Sequence, residues 1–171
     1  MRSKRLQSGE LPAKHGLLLV CSTGGHLLQL HALREVWEGE PRFWVTFSKS
    51  DARALLRDET WVAAHGPTSR TFPVRAALNA CRNLVLAVRL VAATRPAVIL
   101  TTGAGVAVPF AWVGRAFGAN VVFVESFTRI DGPSLSLRLV APVTARIYAQ
   151  WPELQEALPR ARYVGNVFSG T

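Results

Sequence analysis

The feature that most constrains this chain is a repeated change of period: a short, almost wholly apolar run, then a turn of glycine and hydroxyl residues, then apolar residues at helical spacing. Leu17–Cys21 stops at Ser-Thr-Gly-Gly and gives way to Leu27, Leu30 and Leu33, which predicts a buried strand, a tight loop and a helix running to Trp37. Phe43–Phe47 is β-branched and aromatic, and Ser50 with Asp51 predicts a cap on a short helix through Leu56. Trp61–Ala64 reads as a third strand, and His65–Pro73 as a loop by its turn residues. A long helical pattern covers Val74–Thr94 and is closed by Pro96; Ala97–Thr101 returns as a strand. Gly103–Gly105 predicts a turn, Val106–Phe117 a helix ending at Gly118, and Val121–Val124 a further buried strand. Asp131–Ser134 opens the next helix, and Arg146–Ala149 and Arg162–Val164 complete the strand set. Nearly all-apolar strands separated by helices predict an α/β fold, a Rossmann-like parallel sheet with helices on both faces. Ligands of such sheets bind at the carboxyl ends of the strands, so the loops after Cys21, Phe47, Thr101 and Val124 are the ones to examine.

At 171 residues the chain has the size of one ordinary domain and falls short of the two packed nucleotide-type domains that many α/β transferases need. The expected organisation is a basic flexible N-terminus at 1–15, a single domain at 16–165, and a C-terminal tail at 166–171. Cys21 and Cys81 have no His or Cys at ligand spacing and read as reduced, buried thiols of a cytosolic protein, with neither a disulfide nor a zinc site. Met1–His15 is basic and polar and the apolar run behind it is short, so no signal peptide is expected. The uncharged stretch Pro96–Gly114 is long, but its prolines and glycines mark a strand, a turn and a helix rather than a membrane span. Lys and Arg number 20 against 11 Asp and Glu, a net charge of +9 that suits nucleic acid, an anionic membrane or phosphorylated substrates. The arginines are dispersed and no nucleic-acid-binding motif occurs, so nucleic acid is not expected as a partner.

Chemistry concentrates at the strand ends. Ser22, Thr23, Gly24, Gly25 and His26 join the first strand to the first helix; adjacent glycines expose backbone N–H groups, and a helix N-terminus adds positive potential, a natural site for a diphosphate. The loop is neither a G-x-G-x-x-G fingerprint nor a P-loop, and a plain strand–helix turn is the other reading. Thr102, Gly103 and Gly105 repeat the same physics after a later strand. Glu125 ends its strand directly, with Ser126 and Arg129 close behind: the carboxylate either meets a sugar hydroxyl or anchors its own loop, and Arg129 suits a phosphate oxygen. Arg75, Arg82 and Arg89 lie seven apart on Val74–Thr94, one stripe on an otherwise apolar helix. Leu84 and Val88 on that helix either face a membrane or are core.

Four blocks occur in order: Cys-Ser-Thr-Gly-Gly-His26, Arg42-Phe-Trp-Val-Thr-Phe47, Thr101-Thr-Gly-Ala-Gly-Val-Ala-Val-Pro109 and Val124-Glu-Ser-Phe-Thr-Arg129. Together they resemble the PssD-type subunits of bacterial polysaccharide biosynthesis, from about Leu17 to Phe168. These are similar to the eukaryotic membrane-anchoring subunit of the transferase that adds the second N-acetylglucosamine to dolichol-linked sugar. A more distant resemblance is to the amino-terminal domain of MurG-like transferases, through Gly24, Gly25, His26 and Glu125.

The resemblance implies the amino-terminal, acceptor-side half of a GT-B glycosyltransferase whose donor-binding domain is a separate chain. It implies a hexosyltransferase subunit, active only with that partner, which moves a sugar from a UDP-sugar to a lipid-diphosphate-linked sugar in exopolysaccharide or capsule biosynthesis. The UDP-sugar would be held mainly by the partner. The dolichol-pathway relatives begin with a transmembrane helix and this sequence does not, so attachment is expected to be peripheral, on the inner face of the plasma membrane. His26 is the expected base for the acceptor hydroxyl, with Glu125 positioning the acceptor or sharing that role. No Asp-x-Asp occurs, and neither metal nor cofactor is expected. Val167 and Phe168, with no following element to cover them, are the expected partner contact. The rival reading is a noncatalytic membrane scaffold that recruits a catalytic partner.

Overall fold

A computed structural model describes residues 15–66 and 73–168. Of the sequence expectations, the N-terminal segment up to residue 14, the middle of the His65–Pro73 loop and the last three residues of the tail lie outside the described residues.

Seven parallel strands form one sheet: β1 Leu17–Val20, β2 Arg42–Phe47, β3 Trp61–Ala64, β4 Val98–Thr101, β5 Asn120–Val124, β6 Arg146–Ala149 and β7 Ala161–Tyr163. The helices are α1 Gly25–Ala32, α2 Arg34–Trp37, α3 Ser50–Leu55, α4 Pro73–Thr94, α5 Ala107–Ala116, α6 Leu135–Val140 and α7 Pro152–Ala157. Strand order is β3-β2-β1-β4-β5-β6-β7, so the chain reverses its direction of travel across the sheet between β1 and β4. The loops leaving those two strands diverge there and open the crevice where doubly wound sheets take ligands.

Alternation along each strand divides the core. Leu18 and Val20 of β1 join Phe43, Val45 and Ile99 beneath α4 and α5, through Ala87, Leu90, Val91, Phe110 and Val113. Leu19 and Cys21 face the other way, with Trp44 and Leu100, onto Leu27, Leu30 and Trp37 of α1 and α2. A third cluster under β5–β7 contains Phe123, Ile147, Leu137 and Leu154. Burial in this second face pushes the Cys21 thiol up to about 12, which leaves it a protonated, inert core residue; Cys81, expected to be buried as well, is exposed on α4.

Three local readings are corrected. The helix expected to reach Trp37 breaks at Leu33, because the Leu30 carbonyl is taken by the Leu33 N–H at 3.3 Å and by the Trp37 indole N–H at 3.0 Å. Ser50 and Asp51 do not cap α3: Lys49 is its N-cap and no side chain bonds there. β7 starts one residue before the expected strand, and α7 was not anticipated.

α4 is the least conventional element. By length and composition its Val74–Thr94 stretch could cross a membrane, yet it lies along α5 with only part of its circumference covered. The buried side includes its two asparagines, Asn79 and Asn83, while Val74, Leu78, Val85 and Val88 are exposed. Asn83 is fully buried and grips the end of the β3 loop: its Oδ1 accepts the His65 N–H at 2.8 Å and its Nδ2 donates to the His65 carbonyl at 2.9 Å. Asn83→Ala removes both hydrogen bonds at once and leaves a void where a fully buried side chain stood, so it should destabilise the protein by roughly 1–3 kcal/mol. Chemical denaturation of the variant reads this directly, and a change below about 0.5 kcal/mol would contradict it.

Candidate functional site

The crevice at the β1/β4 reversal is closed at its base by a reciprocal pair of hydrogen bonds. The Nδ1 of His26, on the first turn of α1, lies 2.8 Å from the Thr102 carbonyl, and the Thr102 hydroxyl donates to the His26 carbonyl at 2.8 Å. A carbonyl only accepts, so Nδ1 carries the proton and Nε2 keeps its lone pair. Burial holds the His26 pKa below its ordinary value of 6.5 and Arg129 lowers it further, against upward pulls from the Thr102 carbonyl and Glu125. The ring is therefore a neutral imidazole with one fixed tautomer and a free basic nitrogen.

His26 lines a cleft of about 800 Å³ between α4, α5 and α6. Part of its lining is polar: Gly105, Ser126, Thr128, Arg129, Ser134 and Ser136 join His26. The rest is apolar, with Ala77, Cys81 and Leu84 from α4, Val108 and Trp112 from α5, and Leu135 and Leu139 from α6. Several rim residues stay exposed, Trp112 and Leu135 at about half their surface. The Trp112 indole N–H donates to the Leu139 carbonyl at 3.0 Å, which fixes α5 against α6 at the mouth.

Of the sequence-expected site residues, the cleft gathers His26, Gly105, Ser126, Arg129 and Leu84. Others are placed elsewhere. Glu125 is fully buried; one carboxylate oxygen accepts the Ser126 N–H at 2.7 Å and the other the Ser134 N–H at 2.8 Å. The expectation that it faces the acceptor is corrected: it ties together the two ends of the loop that carries Ser126 and Arg129, the anchoring alternative. Gly24 and Gly103 were expected to offer N–H groups to a diphosphate, but the Gly24 N–H donates to Asp51 Oδ2 at 2.6 Å and the Gly103 N–H to Thr101 Oγ1 at 2.9 Å. Gly25 is exposed at the start of α1 and Ser22 and Thr23 are half-buried before it, all three outside the cleft lining. Thr102 is fully buried and spent on the His26 bond.

Leu84 and Val88, at 46% and 43% exposure, are not core, so the buried-helix alternative is excluded for them. Arg75, Arg82 and Arg89 are exposed beside that apolar face. Val167 and Phe168 do not stand free: Val167 packs on the second core cluster with its N–H on Gln150 Oε1 at 2.9 Å, and Phe168 folds back onto Phe127. Among the described residues no three His, Cys, Asp or Glu side chains group to hold a metal ion.

Sequence reasoning missed Asp51 as the partner of the glycine loop, and Gln29. Gln29 is buried on α1, three residues beyond His26; its amide donates to the Glu125 carbonyl at 2.7 Å and accepts the Phe127 N–H at 2.9 Å. A lone polar residue on an apolar helical face was the available signal.

The family described as "Oligosaccharide biosynthesis protein Alg14 like" matches residues 17–167. The chain is 23% identical over 168 residues to the UDP-N-acetylglucosamine transferase subunit ALG14 of Candida albicans, covering 87% of this chain and 76% of that protein. It is 40% identical over 77 residues to the subunit of the same name from Schizosaccharomyces pombe, covering 42% of this chain and 37% of that protein. The fold is similar to that of Acinetobacter baumannii MurG, with a TM-score of 0.69 at 16% identity. That match covers 86% of this chain, which spans only 45% of the MurG chain.

Two measurements follow from this geometry. Glu125→Gln replaces one accepting oxygen with an N–H₂ that faces a backbone donor, so stability should fall by about 1–3 kcal/mol in chemical denaturation; an unchanged midpoint would remove the anchor role. His26 resists protonation when folded, whereas the unfolded chain takes its proton near 6.5. Stability should therefore fall as pH drops through about 6.5 toward the lower folded pKa, and His26→Gln should flatten that part of the curve.

Proposed function

The chain belongs to the Alg14-like family of oligosaccharide biosynthesis proteins, and from that premise we propose that it is the acceptor-side, membrane-docking subunit of a two-chain glycosyltransferase. The observation that carries this reading is the cleft itself, whose lining combines the exposed apolar side chains Leu84, Trp112, Leu135 and Leu139 with His26 and Arg129. An amphiphile with a phosphorylated head and a hydrocarbon chain matches that mixed lining. A donor-binding partner is supported by the relatives' designation as transferase subunits. The same designation supports UDP-N-acetylglucosamine as the donor. The four sequence blocks shared with PssD-type subunits support an exopolysaccharide or capsule pathway, with the chain on the cytoplasmic face of the plasma membrane.

In the proposed transfer the acceptor hydroxyl oxygen attacks the anomeric carbon of the UDP-sugar. The bond from that carbon to the diphosphate oxygen breaks, and UDP leaves with the electron pair. His26 Nε2 takes the hydroxyl proton, a task for which a neutral imidazole of fixed tautomer is suited. Arg129 pairs with a phosphate oxygen of the lipid head. Glu125 acts only by holding the loop. The exposed apolar strip of α4 rests on the bilayer, and its arginines reach the anionic headgroups.

The test is reconstitution with the donor-binding chain on anionic vesicles carrying a polyprenyl-diphosphate sugar. Neither chain alone should turn over UDP-N-acetylglucosamine; the pair should, and His26→Ala should lower the rate about 10²–10⁴-fold while the complex stays intact. Exchanging Leu84 and Val88 for Ser should reduce vesicle binding and leave the thermal transition in place, because both side chains are exposed. Robust turnover by the single chain would overturn the two-chain reading, and undiminished turnover in His26→Ala would favour the noncatalytic scaffold.

A further inference from the structure

The loop that brings Ser126, Thr128 and Arg129 to the cleft is held from behind by the C-terminal segment. Ser126 and Thr128 line the cleft and Phe127 between them does not. Both backbone polar groups of Phe127 are taken by side chains: its N–H by Gln29 Oε1 at 2.9 Å, its carbonyl by the Trp151 indole N–H at 2.6 Å. Its ring meets Trp151 at 5.0 Å between centroids and Phe168, edge to face, at 5.2 Å. The segment bearing Phe168 is itself fixed by the bond from the Val167 N–H to the buried Gln150. On the cleft side Ser126 and Thr128 share a hydroxyl contact at 3.0 Å and the Arg129 N–H bonds the Ser126 carbonyl at 2.9 Å, so residues 126–129 form one turn. Displacing Phe127 displaces that turn. Phe168 keeps 46% of its surface exposed, so one side of the ring braces the loop while the rest is open.

We propose that Phe168, acting through Phe127, is a positioning residue for the cleft, and that the edge-to-face contact between the two rings raises the cleft's affinity for a diphosphate-bearing lipid. The ligand class rests on the functional reading above; the brace itself does not. Linkage makes the effect reciprocal, so a filled cleft protects the loop and its brace by the same factor.

Farnesyl diphosphate is the probe, titrated calorimetrically into the full chain, with hydrogen exchange of residues 125–134 followed in parallel. Phe168→Ala should speed exchange in that loop and weaken farnesyl diphosphate binding about three- to tenfold, the size expected for one aromatic pair, while Phe168→Tyr restores both. Phe168→Leu, which keeps apolar bulk without the edge-to-face contact, serves if the alanine variant does not fold. In an Arg129→Gln background the Phe168 substitution should add little, because the brace acts through the residue already removed. Unchanged exchange and affinity in the Phe168 variants would overturn the brace, as would full additivity with Arg129→Gln. Failure of the wild-type chain to bind farnesyl diphosphate would overturn the coupling to a lipid diphosphate and the cleft reading, leaving the exchange data to decide the brace alone.

Discussion

The reciprocal pair of bonds between His26 and Thr102 is the joint on which the site depends. A doubly wound sheet must part its loops where strand order reverses, and here that parting would leave the first turn of α1 and the end of β4 as two unconnected edges. The two bonds convert the gap into a floor. They also select the imidazole tautomer, since a carbonyl at Nδ1 leaves only Nε2 without a proton. Fold topology and protonation state are thus set by the same contact. The loop opposite has its own fastening, the buried Glu125 carboxylate, and Gln29 joins the two halves by reaching from α1 to the backbone on either side of Ser126.

A second constraint lies in α4. It buries Ala87, Leu90 and Val91 as a core helix does, but it also buries asparagine while exposing valine and leucine, and water alone does not favour that part of the arrangement. The buried asparagine at 83 is accounted for locally, because it satisfies both backbone groups of His65. The exposed apolar strip has no such local account. It runs into the mouth of the cleft through Cys81 and Leu84 and continues onto Trp112, Leu135 and Leu139, so the apolar surface and the cleft entrance are one feature.

Much of the fold was legible because parallel strands buried on both faces leave near-continuous apolar runs. All seven strands lie within a residue, at either end, of the runs that predict them, and β3 and β6 coincide with Trp61–Ala64 and Arg146–Ala149. The break at Leu33 was not legible, since it depends on the Trp37 indole reaching back to one carbonyl. The site divides the same way. His26, Ser126 and Arg129 follow from strand-end position, which topology alone fixes. Glu125, Gly24 and Gly103 were misassigned because position does not reveal what a polar group is already bonded to. Gly24 answers to Asp51, 27 residues away in the chain, and Glu125 to Ser134, across its own loop. Such partners emerge only when the chain is folded, and they turn apparent ligand donors into structural ones.

The size of the cleft bears on how a lipid-linked acceptor would use it. Drawing a polyprenyl chain out of a bilayer costs about 0.8 kcal/mol for each CH₂ left in water, so a long chain must stay in lipid or lie on protein throughout. A cleft of about 800 Å³ accommodates a head group and the first few isoprene units, not a whole polyprenyl tail. On the proposed reading the remaining hydrocarbon therefore never leaves the membrane, and the apolar rim must touch the bilayer while the head group reaches His26. That requirement places the exposed strip of α4, with Trp112, Leu135 and Leu139, at the lipid surface and turns the carboxyl ends of β1 and β4 toward the arriving donor. An apolar rim left in water would break the path, because the hydrocarbon between membrane and cleft would be solvated for every ångström of separation.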